Sequence, residues 1–292
     1  MVTGKEMTPR RHLVLITGAT RGLGRLIADK FWREGDDLVL IARHESDLET
    51  VADELITTRH LEQQVNYFAA DISDLAQIPN IITTIQKTAG NPDILINNAA
   101  IQGPIGPLQT NDGTEWQDCI NVCLLAPVQI CRECLPSMIE NNYGRIVNIS
   151  GGGATAPRPN FSSYATAKCA IVRFSETLAQ EVGQYGITVN CVAPGAMSSN
   201  LTKKIIQAGK LYAGSDEFES ARHLMQENPY TEKRAGDLVH FLTTDACAEI
   251  NGKLISAVWD PWEKLPECAQ VLQSTDVYTL RRILPKERDL IF

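Results

Sequence analysis

The 292-residue sequence lacks the features by which membrane, secreted and nucleic-acid-binding proteins are usually recognised. No apolar run approaches the ~20 residues that a membrane-spanning helix needs, and the N-terminus lacks the apolar core of a signal peptide. Basic residues are outnumbered by acidic ones, 27 to 35, so the net charge is -8. This balance argues against nucleic acid or an anionic membrane as the main partner. We therefore expect a cytoplasmic globular protein.

The sequence also lacks a pattern that would give its cysteines a metal or disulfide role. Eight cysteines are present, and Cys131 and Cys134 form a CxxC pair inside a helix-like stretch. No second Cys/His pair stands at the spacing of a zinc site. Reduced structural thiols are the simpler interpretation, and we predict no metal site.

What the sequence does contain is an alternation of short apolar runs with helical patterns. The runs are each long enough for one buried strand, and they cover residues 12–17, 37–42, 64–69, 93–100, 144–149, 186–192 and 253–258. Helical patterns separate them, the longest at about 114–139. This alternation predicts an α/β protein with a doubly wound parallel sheet between two layers of helices.

No repeat, low-complexity tract or linker divides the chain. We predict a tail at residues 1–11, a single domain at 12–258 and a C-terminal extension at 259–292. Residues 200–230 form a polar helix-and-loop insert within the domain. The extension carries Trp259 and Trp262, whose rings could cap a pocket, make a subunit contact or simply pack on the surface.

A glycine-rich turn at residues 17–24 lies between the first predicted strand and a helical pattern. Strand, turn and helix in this order aim backbone N–H groups and a helix N-terminus at a pyrophosphate. The next strand ends at Arg43, where an NAD-binding domain would often carry an acidic residue for the ribose 2′-hydroxyl. Arg43 and Arg21 suit a 2′-phosphate instead, which favours NADP(H) over NAD(H); the alternative is two solvated arginines.

Tyr164 and Lys168 are i,i+4 neighbours on a predicted helix, so their polar ends share one face. A free Tyr has a pKa of ~10, whereas proton transfer near neutrality favours a value near ~7. A nearby ammonium supplies part of that shift. The alternative is an ordinary amphipathic helix with an exposed Lys and a half-buried Tyr.

Together the motifs resemble the short-chain dehydrogenase/reductases over roughly residues 12–258. The matching motifs are Thr17-Gly18-xxx-Gly22-x-Gly24, Asp71, Asn97-Asn98-Ala99-Ala100, Tyr164-xxx-Lys168 and Pro194-Gly195. The resemblance implies a Rossmann-like fold and an enzyme acting on CH–OH with NAD(P). It also implies that Tyr164 is the general acid/base and that Lys168 binds the nicotinamide ribose and lowers the Tyr pKa. The cofactor-binding set implied by the resemblance and the two arginines is Gly18, Thr20, Arg21, Gly22, Leu23, Gly24, Arg43, Asp71, Ile72, Asn98, Ala99, Ala100, Val122, Tyr164, Lys168, Pro194, Gly195 and Met197.

Two positions depart from the family pattern. Where the family has a catalytic Ser, thirteen residues before the Tyr, this sequence has Gly151, and Ser150 precedes it. We name Ser150 as the candidate third catalytic residue, although adjacent strand residues face opposite ways; main-chain N–H groups of the glycine run are the alternative. The family's proton-relay Asn aligns with Cys123, and Asn121 is about 200° around the helix and a poor substitute.

The sequence thus predicts an NADP(H)-dependent oxidoreductase that interconverts a secondary alcohol and a ketone. A sugar or polyol substrate is suggested only by a loose likeness of the Ser-Gly-Gly-Gly segment and the Trp-Asp-x-Trp tail to a subgroup in sugar metabolism. A catalytically silent sensor or scaffold on the same fold is one alternative; an epimerase or dehydratase that borrows and returns the hydride is another. The family implies a homodimer or homotetramer.

Overall fold

The computed structural model describes residues 11–226 and 230–290. Its strands are β1 (Leu13–Thr17), β2 (Asp37–Ala42), β3 (Val65–Ala69), β4 (Ile94–Asn97), β5 (Gly144–Ile149), β6 (Ile187–Ala193) and β7 (Leu254–Ser256). They form one parallel sheet in the order β3-β2-β1-β4-β5-β6-β7. Strand order reverses between β1 and β4, so a crevice opens there at the carboxyl ends of the strands. The predicted doubly wound sheet is confirmed.

Helices cover both faces of the sheet. They are α1 (Gly22–Glu34), α2 (Glu45–Thr57), α3 (Ile78–Thr88), α4 (Gly113–Ile120), α5 (Ala126–Glu140), α6 (Ser162–Val182), α7 (Asn200–Ala213), α8 (Ser215–Leu224), α9 (Tyr230–Phe241) and α10 (Ala269–Ser274). One apolar cluster joins α1 and α9 to the sheet through Phe31 and Leu238. The other joins α3, α5 and α6 through Ile82, Cys131 and Ala167. Burial on two faces gives the three-layer α/β/α arrangement.

Three predicted elements end or break earlier than the apolar pattern indicates. The fourth strand stops at Asn97 and the last spans only Leu254–Ser256. The long helix predicted at 114–139 is interrupted by a π-helical turn, Asn121–Leu125, between α4 and α5. Hydrophobic periodicity does not report such breaks, because the buried face continues through them. Turns of this kind are frequent at functional sites.

The described part of the insert, residues 200–226, contains two helices, α7 and α8, with a kink at Gly209. Gly209 has φ 74° and Gly214 φ 89°, conformations that favour glycine. Ile205, Ala213 and Ala221 of this insert pack with Phe161 in a separate apolar cluster. The insert is therefore seated beside the N-terminal end of α6.

The C-terminal residues lie along the outer edge of β7. The Leu254 N–H donates to Tyr278 O at 2.8 Å, and the buried Lys253 ammonium donates to Thr275 O and Val277 O. Edge strands left open are sites of unwanted pairing, so this covering protects the sheet. Trp262 is buried, with its indole N–H donating to Ala257 O, whereas Trp259 is 85% exposed.

One stretch, Gly113–Glu140, is apolar and long enough by length and composition to cross a membrane. Half of its most apolar window is buried inside the protein, where α4 and α5 pack on the sheet and on neighbouring helices. A core helix passes the same test, so the stretch is weak evidence for a membrane span.

Candidate active site

A cavity of about 730 Å³ opens at the carboxyl ends of the strands. Its wall contains Ser150 and every member of the cofactor-binding set predicted above except Gly195. Gly195 lies beside it with φ 86°, and a Cβ there would fall 2.5 Å from Cγ2 of Val258. Residues predicted from eight separate stretches of sequence therefore meet at one place.

The glycine turn is packed so tightly that side chains would not fit. A Cβ on Gly24 would lie 2.1 Å from Gly18 O, and one on Gly18 would lie 2.9 Å from Cα of Ala99. Asn98 locks the turn to β4, since its side-chain amide donates to Thr17 O and Gly18 O at 3.0 and 3.1 Å. Gly22, with φ 52°, instead faces open space at the start of α1. This cradle fits the pyrophosphate of a dinucleotide, which needs close backbone approach and a helix N-terminus.

Arg21 and Arg43 both lie on the cavity wall and are exposed. Among the described residues, no hydrogen bond or ion pair engages either guanidinium, so both remain available to an anion. His44 and Asp47, which the sequence analysis did not single out, line the same part of the cavity at the start of α2.

Tyr164 and Lys168 lie in the first two turns of α6, and both are buried. The Lys168 ammonium is 5.5 Å from the Tyr164 ring centroid and donates to Ile149 O at 2.7 Å. Burial raises the pKa of Tyr164, while the Lys168 and Arg158 charges oppose the increase. Burial also acts to lower the pKa of Lys168, but the phenol and nearby thiols outweigh it, so that pKa is raised. Lys168 thus stays charged beside the phenol.

Gly151, not Ser150, occupies the position that faces the phenol. A Cβ on Gly151 would lie only 2.6 Å from Tyr164 Oη. The buried Ser150 hydroxyl instead donates to the main-chain oxygen of Lys168 at 3.3 Å. The expectation that Ser150 substitutes directly for the family's Ser gains no support from this geometry.

Cys123, where the family has Asn, is buried in the π-helical turn, one helical turn beyond Cys119. Both thiols donate to Ile101 O, at 3.4 Å from Cys123 and 3.5 Å from Cys119. The neighbouring Cys119 thiol and the charge of Lys168 act to lower the pKa of Cys123, whereas its burial acts to raise it. Asn121 accepts a hydrogen bond from Gln117 instead and takes no part here. All eight cysteines, including Cys131 and Cys134, are free.

The cavity extends beyond the predicted set toward the insert. It is lined there by Gln102, Glu115, Asp118, Ser198, Lys204 and Met225. Gln102 is 2% exposed, and its amide nitrogen has no hydrogen-bond partner among the described residues. Its position two residues after the Asn97–Ala100 motif was the available sequence signal. In the described part of the chain, no cluster of three His, Cys, Asp or Glu side chains could hold a metal.

Comparison with known proteins identifies the family of this chain. The short chain dehydrogenase family profile matches residues 12–210. The chain is 31% identical over 198 residues to the 3-oxoacyl-acyl-carrier-protein reductase FabG of Haemophilus influenzae, covering 68% of this chain and 79% of that protein. It is 28% identical over 251 residues to D-beta-hydroxybutyrate dehydrogenase of Cupriavidus necator, covering 84% and 94%. The crystal structure of levodione reductase superposes with a TM-score of 0.74 at 28% identity, covering 85% and 96%.

The fold and this pattern of similarity define a class of nicotinamide-dependent oxidoreductases. The chain belongs to the short-chain dehydrogenase/reductase family. It is an enzyme that acts on CH–OH and ketone groups with NAD(P).

Proposed function

We propose that this enzyme uses NADP(H) to interconvert a secondary alcohol and a ketone on a small polar substrate such as a sugar or polyol. The observation that carries the proposal is the Tyr164–Lys168 pair, buried together at the cavity that the glycine turn also lines. The cofactor, when bound, supplies or accepts the hydride. The protein supplies proton transfer, charge and position.

Each residue has a part that follows from its place. Tyr164 transfers the proton of the reacting hydroxyl, and Lys168 stabilises the phenolate by its charge. Ser150 helps to position Lys168, because its hydroxyl donates a hydrogen bond to the main-chain oxygen of Lys168. Gly18, Gly22 and Gly24 hold the pyrophosphate end of the cofactor.

The choice of NADP(H) is supported by Arg21 and Arg43. Both are exposed on the cavity wall near the end of β2, where the adenine-side ribose is recognised in such folds. A guanidinium pairs well with a phosphate because it offers several N–H donors in one plane. The 2′-hydroxyl of NAD(H) could not use this charge.

The polar substrate class is supported by the residues that line the cavity toward the insert. The buried amide nitrogen of Gln102 has no partner among the described residues, and Glu115 and Asp118 lie on the same wall. Buried polar groups are usually paired, so the unpaired amide of Gln102 beside these acidic residues favours a ligand that carries polar groups.

The test is nicotinamide absorbance in the presence of a panel of sugars, polyols, simple secondary alcohols and ketones, each with NADP(H) and with NAD(H). We expect turnover with a polyol or sugar and a preference for NADP(H). A cofactor-binding titration is run in parallel. Preference for NAD(H), or turnover confined to apolar ketones, would contradict the corresponding part of the proposal.

Cofactor choice has a sharper test in Arg43→Ala. The change should weaken NADP(H) binding by about tenfold to a hundredfold, the value of a hydrogen bond to a charged group, and leave NAD(H) binding unchanged. Arg59→Ala, at an exposed arginine outside the cavity, is the matched control. Equal affinities in Arg43→Ala and Arg59→Ala would show that Arg43 does not bind the 2′-phosphate.

We further propose a homodimer or homotetramer in the cytoplasm, with residues 12–258 as one domain and 259–292 as its extension. Family resemblance supports the assembly. The packing of the last residues along β7 and the sheet that spans residues 13–256 support the domain division.

A further inference from the structure

Arg158 lies in the segment between β5 and α6, and its side chain is only 15% exposed. Its Nε donates to Oε1 of Glu217 at 2.7 Å, and its Nη2 donates to Oε2 at 2.8 Å. This is a two-point ion pair of the most directional kind. Glu217 belongs to α8, so the pair ties the insert to the segment that precedes the catalytic helix.

The guanidinium also faces the catalytic phenol. Its central carbon is 4.0 Å from the Phe161 ring centroid and 5.9 Å from that of Tyr164. Gly152 lies beside it, and a Cβ there would stand 3.4 Å from Nη1, in ordinary van der Waals contact. Among the described residues Nη1 makes no hydrogen bond, and the pair with Glu217 uses only Nε and Nη2.

The electrostatic surroundings of Tyr164 come from four parts of the chain. Lys168 lies on the same helix, Arg158 on the preceding segment, and Cys119 and Cys123 on α4 and the π-helical turn. Glu217 stands behind Arg158 and neutralises part of its charge. Arg158 is therefore the second cation that faces the phenol, and its position depends on α8.

We propose that Arg158 is a positioning residue for catalysis, which holds a positive charge beside the Tyr164 phenol, and that Glu217 couples this charge to the seating of α8. The proposal rests on the proposed function, since Tyr164 is the proton-transferring group. It adds a determinant of the Tyr164 proton affinity outside the Tyr-Lys pair.

Opposite effects of the two partners distinguish this role from a purely mechanical latch. Burial raises the pKa of Tyr164, and the guanidinium opposes that increase. Removing the guanidinium should raise the pKa further, whereas removing the carboxylate that partly neutralises it should lower the pKa. A latch would lose activity in the same way whichever partner were removed, without moving the pKa.

The first experiment compares the pH dependence of kcat/KM for alcohol oxidation in Arg158→Gln, Arg158→Lys and Glu217→Gln. We expect the midpoint of the ascending limb to move to higher pH by about one unit in Arg158→Gln, as Coulomb interactions at this distance imply. In Glu217→Gln the midpoint should move to lower pH. Arg158→Lys retains the charge and should keep the wild-type midpoint. Glu219→Gln, which removes a carboxylate of the same helix that pairs with Lys210 and Arg222, is the control.

A second readout does not depend on turnover. The Tyr164 phenol is titrated by NMR in protein labelled at tyrosine, with Tyr164→Phe used to assign its signal. Opposite shifts in the two variants support the inference even if the substrate proposal fails. The inference is overturned if the Tyr164 titration midpoint shifts in the same direction in Arg158→Gln and Glu217→Gln, or if it equals the midpoint in Glu219→Gln. This holds even if the enzyme turns over as proposed.

Discussion

At the scale of single residues, the family resemblance implies that the site keeps two members of the usual catalytic set and replaces two. By that resemblance Tyr164 and Lys168 are kept, and Gly151 and Cys123 stand where the usual Ser and Asn would be. The Gly151 replacement has a steric consequence, because the phenol hydroxyl lies 2.6 Å from where a Cβ would be. The missing side chain thus provides the space that Tyr164 uses.

Gly151→Ala should therefore lower kcat by about tenfold to a hundredfold, because displacing a catalytic group by less than 1 Å is costly. Gly113→Ala is the matched control, since a Cβ there would meet nothing within 4 Å. Steady-state kinetics with both variants decide the matter. If Gly151→Ala and the control variant had equal kcat values, the close approach of residue 151 to the phenol would not matter for catalysis.

At the scale of secondary structure elements, the insert is shaped by two glycines. Gly209 has φ 74° and ψ 172°, a combination that other residues adopt only with strain. A Cβ there would meet nothing within 4 Å, so a substitution is opposed by the backbone alone.

Gly209→Ala should accordingly destabilise the protein by about 1–3 kcal/mol, as measured by urea unfolding. Gly113→Ala is the control: Gly113 opens α4 without a positive φ, and a Cβ there also meets nothing. If Gly209→Ala unfolds at the same urea concentration as Gly113→Ala, the kink is not intrinsic to the fold.

The elements also show what the sequence could and could not predict. Strands such as β2 and β5 were predicted with their observed bounds, because a buried parallel strand is a continuous apolar run. The site residues could be assembled because they follow strands, and carboxyl ends of parallel strands share one edge. The π-helical turn at Asn121–Leu125 and the Arg158–Glu217 pair were not predicted. The first leaves no mark on periodicity, and the second joins residues 59 positions apart whose meeting depends on how α8 is seated.

At the scale of the whole molecule, two apolar layers hold the sheet, and one of them carries a titratable group. His240 lies on α9 against Phe31 of α1, with ring centroids 5.1 Å apart. Burial, assisted by Lys30, lowers the pKa of His240 below its usual value. Below about pH 6.5 the unfolded chain then binds a proton more readily than the folded one.

Stability should consequently fall as the pH drops below about 6.5, by at most about 1.4 kcal/mol per pH unit from this group. His240→Gln should remove that part of the slope. Unfolding free energies of both proteins at about pH 7.5 and about pH 5.5 give the comparison. If the unfolding free energy fell equally in the wild type and in His240→Gln, other groups would be responsible for the acid sensitivity.

The central claim is that the phenol of Tyr164 transfers the proton while the rest of the cavity binds the cofactor. Its most direct test is the turnover of Tyr164→Phe, measured together with its NADP(H) dissociation constant. We predict that kcat falls by about 10²–10⁴-fold, the usual contribution of general acid–base catalysis, with the dissociation constant essentially unchanged. A variant that turned over at close to the wild-type rate would contradict the account.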